Sequence, residues 1–208
     1  MRRVIALFIA AVLALAGTSA FAQIDGKWSA GGGYISFNLA GSGADLVNNR
    51  GLQRMPGFYF GASLDYPFST IDGLTVEPGA YIMHFGKAYR FGLGDAEKSY
   101  HANYLSVPIH LKYAFPTGGD FGLAVFTGPR FNLGIGGNMF STGKTYPGLM
   151  PIEAQWGLGL AATIQEAVVL RAGYDTGLTN CIKNNNDLGF ADIKAHRDAF
   201  YFGVSFVF

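Results

Sequence analysis

The sequence predicts an all-β chain, a closed antiparallel up-and-down transmembrane β-barrel of about eight strands with a side-chain-filled lumen. Three observations predict it. Apolar residues recur at a period of two, long and short connections alternate, and no stretch beyond the N-terminal leader reaches the apolar length of a spanning helix. Composition agrees: half of the residues are hydrophobic, 15% are aromatic, 30 are glycine and only 14% are charged. An ordinary soluble domain carries about 25% charged residues. The apolar surface must therefore be spread along short segments.

The leader is an address. Arg2 and Arg3 open it, residues 4–16 form a short apolar run, and Ala20-Phe21-Ala22 supplies the small residues of a signal-peptidase site. Residues 1–22 read as a cleaved signal peptide and 23–208 as the barrel domain. A single N-terminal anchor is the alternative, and the short run argues against it. No cysteine lies near the site, so a lipoprotein route is excluded. Loss of Arg2 and Arg3 takes the formal charge from +1 to about −1, without the dense basic face that nucleic acid requires. Cys181 is the one cysteine, so no internal disulfide forms; it reads as an incidental thiol in a mobile loop.

Each strand follows from alternation. In 200–208 the even positions are Phe200, Phe202, Val204, Phe206 and Phe208, opposed by Tyr201, Gly203, Ser205 and Val207. Leu105, Val107, Ile109, Leu111 and Tyr113 share one face, and Tyr104, Ser106, Pro108, His110 and Lys112 the other. Val168, Leu170, Ala172 and Tyr174 oppose Arg171, Gly173 and Asp175. The same count places strands near 30–40, 57–67, 73–85, 101–115, 120–134, 153–165, 167–178 and 197–208. Gly- and aromatic-rich segments favour strands over helices. Pro78, Pro108 and Pro129 fall inside strands and are expected to form bulges or bends.

The connections 41–56, 86–100, 135–152 and 179–196 are long and polar. Those at 68–72, 116–119 and around Glu166 are tight. Outer-membrane barrels place long loops outside the cell and short turns in the periplasm. In lipid every backbone N–H and C=O must pair within the protein, so the sheet must close. The expected outward face includes Ile35, Phe37, Leu39, Phe58, Phe60, Ala62, Leu64, Val76, Ala80, Ile82, Phe121, Leu123, Val125, Trp156, Leu158, Leu160, Leu170, Tyr174 and the even positions of 200–208. Tyr66, Tyr113, Tyr174, Trp156 and Phe208 fall near strand ends, as aromatic girdles do. The inward face carries a charge network of Asp65, Glu77, His110, Lys112, Arg130, Glu153, Arg171 and Asp175. An eight-stranded interior is just wide enough for side chains, so these groups plug it. A diffusion pore is excluded on that reading.

The ending from Tyr201 through Gly203 and Phe206 to Phe208 resembles the C-terminal signal that the outer-membrane assembly machinery recognises. Tyr104-Leu105-Ser106-Val107-Pro108-Ile109-His110-Leu111-Lys112-Tyr113 is similar to the fourth-strand motif of PorT-type outer-membrane barrels. Leu170-Arg171-Ala172-Gly173-Tyr174, with Gly177-Leu178-Thr179-Asn180, resembles the seventh strand of that family. The resemblance spans nearly all of the mature chain. It implies the barrel and a location in the outer membrane of a Gram-negative bacterium, and it implies no shared activity.

Catalysis, metal and cofactor binding are not expected. A lipid-modifying barrel needs Ser, His and an acid together on its outer wall, and His84, His101, His110 and His196 show no such spacing. His101, His196 and Asp198 do not form a ligand-spaced metal cluster. The oxygen-rich run Asn184-Asn185-Asn186-Asp187 reads as a solvated loop. Gly31-Gly32-Gly33 and Gly134, Gly136 and Gly137 lack the Lys-Ser/Thr of a phosphate loop. Lys87, Arg90 and Lys98 give one loop a basic cluster, which reads either as a contact for lipopolysaccharide phosphates or as a merely solvated loop. The expected role is structural or interaction-based, exerted by a monomer. Its expected partners are outer-membrane lipid and lipopolysaccharide, the assembly machinery during biogenesis, and an extracellular or periplasmic partner that the sequence does not name. The remaining alternatives are a lipid-modifying enzyme, a narrow channel or lipid-binding barrel, and a soluble lipocalin-like barrel.

Overall fold

The computed structural model describes residues 26–42, 44, 54–89, 98–117, 119–141, 148–183 and 194–208. The leader, most of the first two long loops with Arg90 of the basic cluster, and Asn184 to Asp187 lie outside them. Eight strands follow in order: β1 Lys27–Ser42, β2 Met55–Pro67, β3 Leu74–Tyr89, β4 Lys98–Phe115, β5 Phe121–Gly136, β6 Ile152–Ile164, β7 Val168–Gly177 and β8 Lys194–Val207. Each pairs antiparallel with its sequence neighbour, and β8 returns to β1 to close the barrel. The glycine triple lies at this seam. A Cβ on Gly31 or Gly33 would fall 2.1 Å from the carbonyl oxygen of Val204 or Phe202, so only glycine permits the approach.

Seven strands span 13 to 18 residues and β7 only 10. A tilted strand needs about 9–11 residues to cross a membrane. The surplus stands on the long-loop side, so 41–42, 55–56, 86–89, 98–100, 135–136 and 194–196 are strand where the sequence suggested loop.

That surplus explains a correction in β1. Ile35, Phe37 and Leu39, expected on the lipid side, are buried in the lumen at 1–2% exposure. Their outward neighbours are Ser36, Asn38 and Ala40, and outward Tyr34 packs on Phe202 at 5.5 Å. Above the hydrocarbon the wall faces water, and the apolar side turns inward as in a soluble barrel. Leu64 is a second correction. It is buried at the periplasmic end against the Gly26 backbone. The other strands follow the outward face read from alternation, with Phe58, Phe60, Leu158, Leu160, Leu170, Phe200, Phe202 and Phe206 all exposed.

The prolines form no bulges. Pro78 pairs with Ile109, Pro108 with Arg130 and Pro129 with Trp156. Each interrupts the ladder only toward the preceding strand, and pairing then resumes in the same register. A residue without an N–H removes one ladder donor, and here that loss stays on one side. The register shift falls elsewhere, between Asn103 and Tyr104.

Cys181 is also corrected. It is fully buried, its N–H donates to the Ala195 carbonyl and its own carbonyl accepts from the Met150 N–H, each at 2.8 Å. An isolated bridge joins Leu149 to Ile182, and a 3-10 turn at Asn138–Phe140 buries Met139. Together these form an apolar lid across the extracellular end.

Candidate functional site

Inward positions of seven strands stack the lumen into layers. Nearest the periplasm, Lys112 on β4 contacts Asp65 on β2 and lies 3.1 Å from Glu77 on β3. Arg171 on β7 clasps the same Glu77 with two contacts of 2.6 Å. In the middle, Arg130 on β5 lies 3.0 Å from Asp175 on β7. Beneath the lid, Arg197 on β8 pairs with Glu153 on β6 at 2.7 Å, and the Tyr104 hydroxyl donates to Glu153 at 3.1 Å. Asn132 donates to Gln155 and Gln155 to the Arg197 carbonyl, both at 2.8 Å.

The four cations match four carboxylates, which burial requires, since an unpaired buried charge is costly. Aromatic faces complete the shells. The Arg197 guanidinium lies 4.2 Å from the Tyr104 ring centroid and 5.0 Å from that of Phe37. Arg130 covers Tyr201 at 4.7 Å and Arg171 covers Phe126 at 4.8 Å. Inward glycines leave room: a Cβ on Gly159 would strike Phe126, one on Gly173 would strike Tyr201, and one on Gly203 would strike the Tyr59 hydroxyl.

All eight residues singled out from the sequence lie inward. Seven of them fall into the three ion-paired clusters. His110 is buried beside Phe126, with ring centroids 4.9 Å apart. Sequence reasoning missed Arg197, Asn132 and Gln155, and it placed Tyr104 on the face of His110 and Lys112 without giving it a part in the network. Arg197 has the parity of Tyr201, and counting back from that residue finds it. At the C-terminus, Tyr201 is buried in the lumen and Gly203 also faces inward, whereas Phe206 and Phe208 are 59% and 77% exposed. The Phe208 N–H donates to the Trp28 carbonyl at 2.9 Å.

Between the layers, lined by Tyr59, Tyr81, His110, Arg130, Arg171 and Tyr201, the central void measures about 20 Å³, room for one water. The plugged lumen, the apolar outer wall, the closed ladder and the alternation of tight turns with long loops are the attributes of an outer-membrane barrel. A family model described as outer membrane protein beta-barrel domain matches residues 8–208. The chain belongs to this family. It is a protein of the outer membrane of a Gram-negative bacterium.

A comparison with curated proteins gave no match. Among solved structures, similar folds include Ail of Yersinia pestis in complex with the heparin analogue sucrose octasulfate. Identity is 12% and TM-score 0.48, with 88% of this chain and 99% of that one covered. OprG of Pseudomonas aeruginosa shares 15% identity at TM-score 0.49, covering 88% and 96%. The N-terminal barrel of OprF from the same organism shares 18% at TM-score 0.37, covering 86% and 97%.

On the outer wall near the extracellular end, Asp198 accepts from the Tyr174 hydroxyl at 2.9 Å, Thr176 at 3.1 Å and the Gly177 N–H at 3.0 Å. His196 lies 3.6 Å from the same carboxylate. Hydroxyl and imidazole both address the acid. A nucleophilic triad instead needs the imidazole between hydroxyl and acid. His84 bonds the Asn103 amide oxygen at 2.7 Å, with His101 stacked 6.5 Å away. Among the described residues, no three His, Cys, Asp or Glu gather as a metal site.

Proposed function

We propose that this barrel is a non-enzymatic scaffold that presents its extracellular loops to a partner and conducts no bulk solute. The observation that carries this reading is the lumen. Three ion-paired clusters and the aromatic rings around them block its middle, leaving between them a void no larger than a water, and an apolar lid covers its outer mouth. What varies freely in such a molecule is the set of loops, and a rigid scaffold with long loops is a common arrangement for recognition. The order of Thr176, Asp198 and His196 further argues against a hydrolytic site.

The similarity of 104–113 and 170–180 to PorT-type barrels supports placement within that subgroup, without its name-giving member's secretion-associated role. On this reading residues 1–22 are removed on export and the mature chain starts at Gln23. The barrel works as a monomer embedded in lipid and lipopolysaccharide, and the assembly machinery reads Tyr201, Gly203, Phe206 and Phe208. Planar-bilayer recording tests the lumen, with no unitary conductance expected. A pull-down comparing the intact protein with forms trimmed within 41–56 and 135–152 tests the loops. Retained capture in both trimmed forms overturns loop presentation, and steady conductance overturns the plug.

A further inference from the structure

The periplasmic third of the lumen is built differently from the rest. Elsewhere the inward positions carry Phe37, Phe85, Tyr104, Phe126 and Tyr201. At the turn end of the same barrel they carry Ala114, Ala124, Ala161, Thr163, Val169 and Val207, and a hollow of about 600 Å³ remains. An eight-stranded interior closes on ordinary side chains, so small residues at consecutive strands leave this space open. Its floor is the Lys112, Asp65 and Glu77 cluster, and the central void above is no larger than a water. The hollow is therefore a blind vestibule facing the periplasm. Its volume lies in the range of small-molecule sites, about 300–1,000 Å³.

Its two sides differ. Strands β1 to β4 contribute Lys27, Asp65, Thr75 and Lys112 with one small residue, Ala114, whereas β5 to β8 contribute Ala124, Ala161, Thr163, Val169 and Val207. The charges come as pairs. Lys112 contacts Asp65, and Lys27 lies 2.9 Å from Glu166 at the rim. A head group of single charge would be attracted by one member of each pair and repelled by the other. A dipolar head, with cation and anion a few ångströms apart, meets both members favourably. The opposite wall offers apolar contact for a chain. We propose that this vestibule is a binding site for a single-chain amphiphile with a zwitterionic head, entered from the periplasm.

The test uses the full-length mature protein in nanodiscs of two-chain phosphatidylcholine, with methyl NMR signals of alanine, valine and leucine. Dodecylphosphocholine is the probe. Saturable shifts of the Ala124, Ala161, Val169 and Val207 methyls are expected, while the lipid-facing Leu158 and Leu170 methyls move without saturation. Ala161→Phe and, separately, Val207→Phe fill the hollow, and either variant that still folds should bind at least about tenfold more weakly, a loss of 1.4 kcal/mol. Unmoved vestibule methyls in the wild-type protein, or unweakened binding in a folded filled variant, overturn the site. Equal saturable shifts with dodecyl sulfate and dodecyltrimethylammonium overturn the zwitterionic assignment.

Discussion

Arg171 on β7 holds Glu77 on β3 through two 2.6 Å contacts, joining strands on opposite sides of the closed barrel. Ladder hydrogen bonds tie each strand only to its neighbours. This clasp ties the wall across its diameter, and Lys112 adds a second cation to the same carboxylate. Breaking one side of a buried pair leaves an uncompensated charge, at a cost of about 3–5 kcal/mol. Glu77→Gln should lose that much in urea unfolding from lipid vesicles. The double variant Glu77→Leu with Arg171→Leu should recover most of it. Equal losses in the single and double variants would show that packing, not charge pairing, sets the effect.

The clasp was legible in the sequence because an Arg on the lipid face near the midplane costs about 2–4 kcal/mol. Period-two counting therefore pushes Glu77, Arg130, Arg171 and Asp175 inward. The rule weakens where the hydrocarbon ends. In β1 the alternation over 34–39 is clean, with Ile35, Phe37 and Leu39 opposed by Ser36 and Asn38, but it does not say whether the apolar face meets lipid or a lumen above the hydrocarbon, so period-two counting alone turns these three residues to the wrong side. Arg197 stood at the edge of a strand whose true start, Lys194, lies further out. The burial of Cys181 depends on Leu149, Ile182 and Ala195, contacts between loop and strand that no periodicity encodes.

The reversed face of β1 is directly testable. Phe37 packs edge-on to Phe85 at 4.8 Å and lies beneath Arg197. Phe37→Ala should destabilise by about 3–5 kcal/mol, as core Phe truncations do. Ser36→Leu, one residue away on the outer wall, should stay within about 0.5 kcal/mol. Vesicle unfolding curves decide, and a larger cost for Ser36→Leu than for Phe37→Ala would reinstate the outward assignment.

Burial pushes the Cys181 thiol up from its ordinary range, so it stays protonated at neutral pH. The thiolate is the reactive form. A membrane-impermeant maleimide applied to intact cells should leave Cys181 unlabelled, and denaturation should make it fully reactive. A control cysteine replacing Ser42, at the exposed outer end of β1, should label without denaturation. Rapid labelling of native Cys181 would mean that the lid opens.

The β6–β7 turn holds Gln165 and Glu166 at φ 51° and 53°. Tight hairpin turns of this handedness favour Asn and Gly, and an ordinary residue there costs roughly 1–2 kcal/mol. Gln165→Asn should relieve part of that cost and stabilise by about 0.5–1 kcal/mol while leaving the Glu166–Lys27 contact in place. Gln165→Val, β-branched, should act in the opposite direction. Urea midpoints of the two variants would separate, and an unchanged or inverted order would show that the turn bears no such strain.

Phe208 ends the outward row of β8 and closes the seam through its N–H to Trp28. The position thus combines an apolar side chain at the lipid boundary with a backbone bond that registers β8 on β1. Phe208→Asp retains the N–H but places a carboxylate on the most exposed aromatic site of the wall, beside the membrane interface. There a lipid-facing charge costs only about 0–1 kcal/mol. Stability of the finished barrel should therefore change little, and refolding into vesicles in vitro should remain close to wild type. Assembly in cells should fall sharply if the assembly machinery reads the terminal ring, and Phe208→Tyr should restore it. Outer-membrane abundance measured beside in-vitro refolding separates the two roles: parallel loss in both assays assigns Phe208 to the fold alone, and loss confined to cells assigns it to recognition.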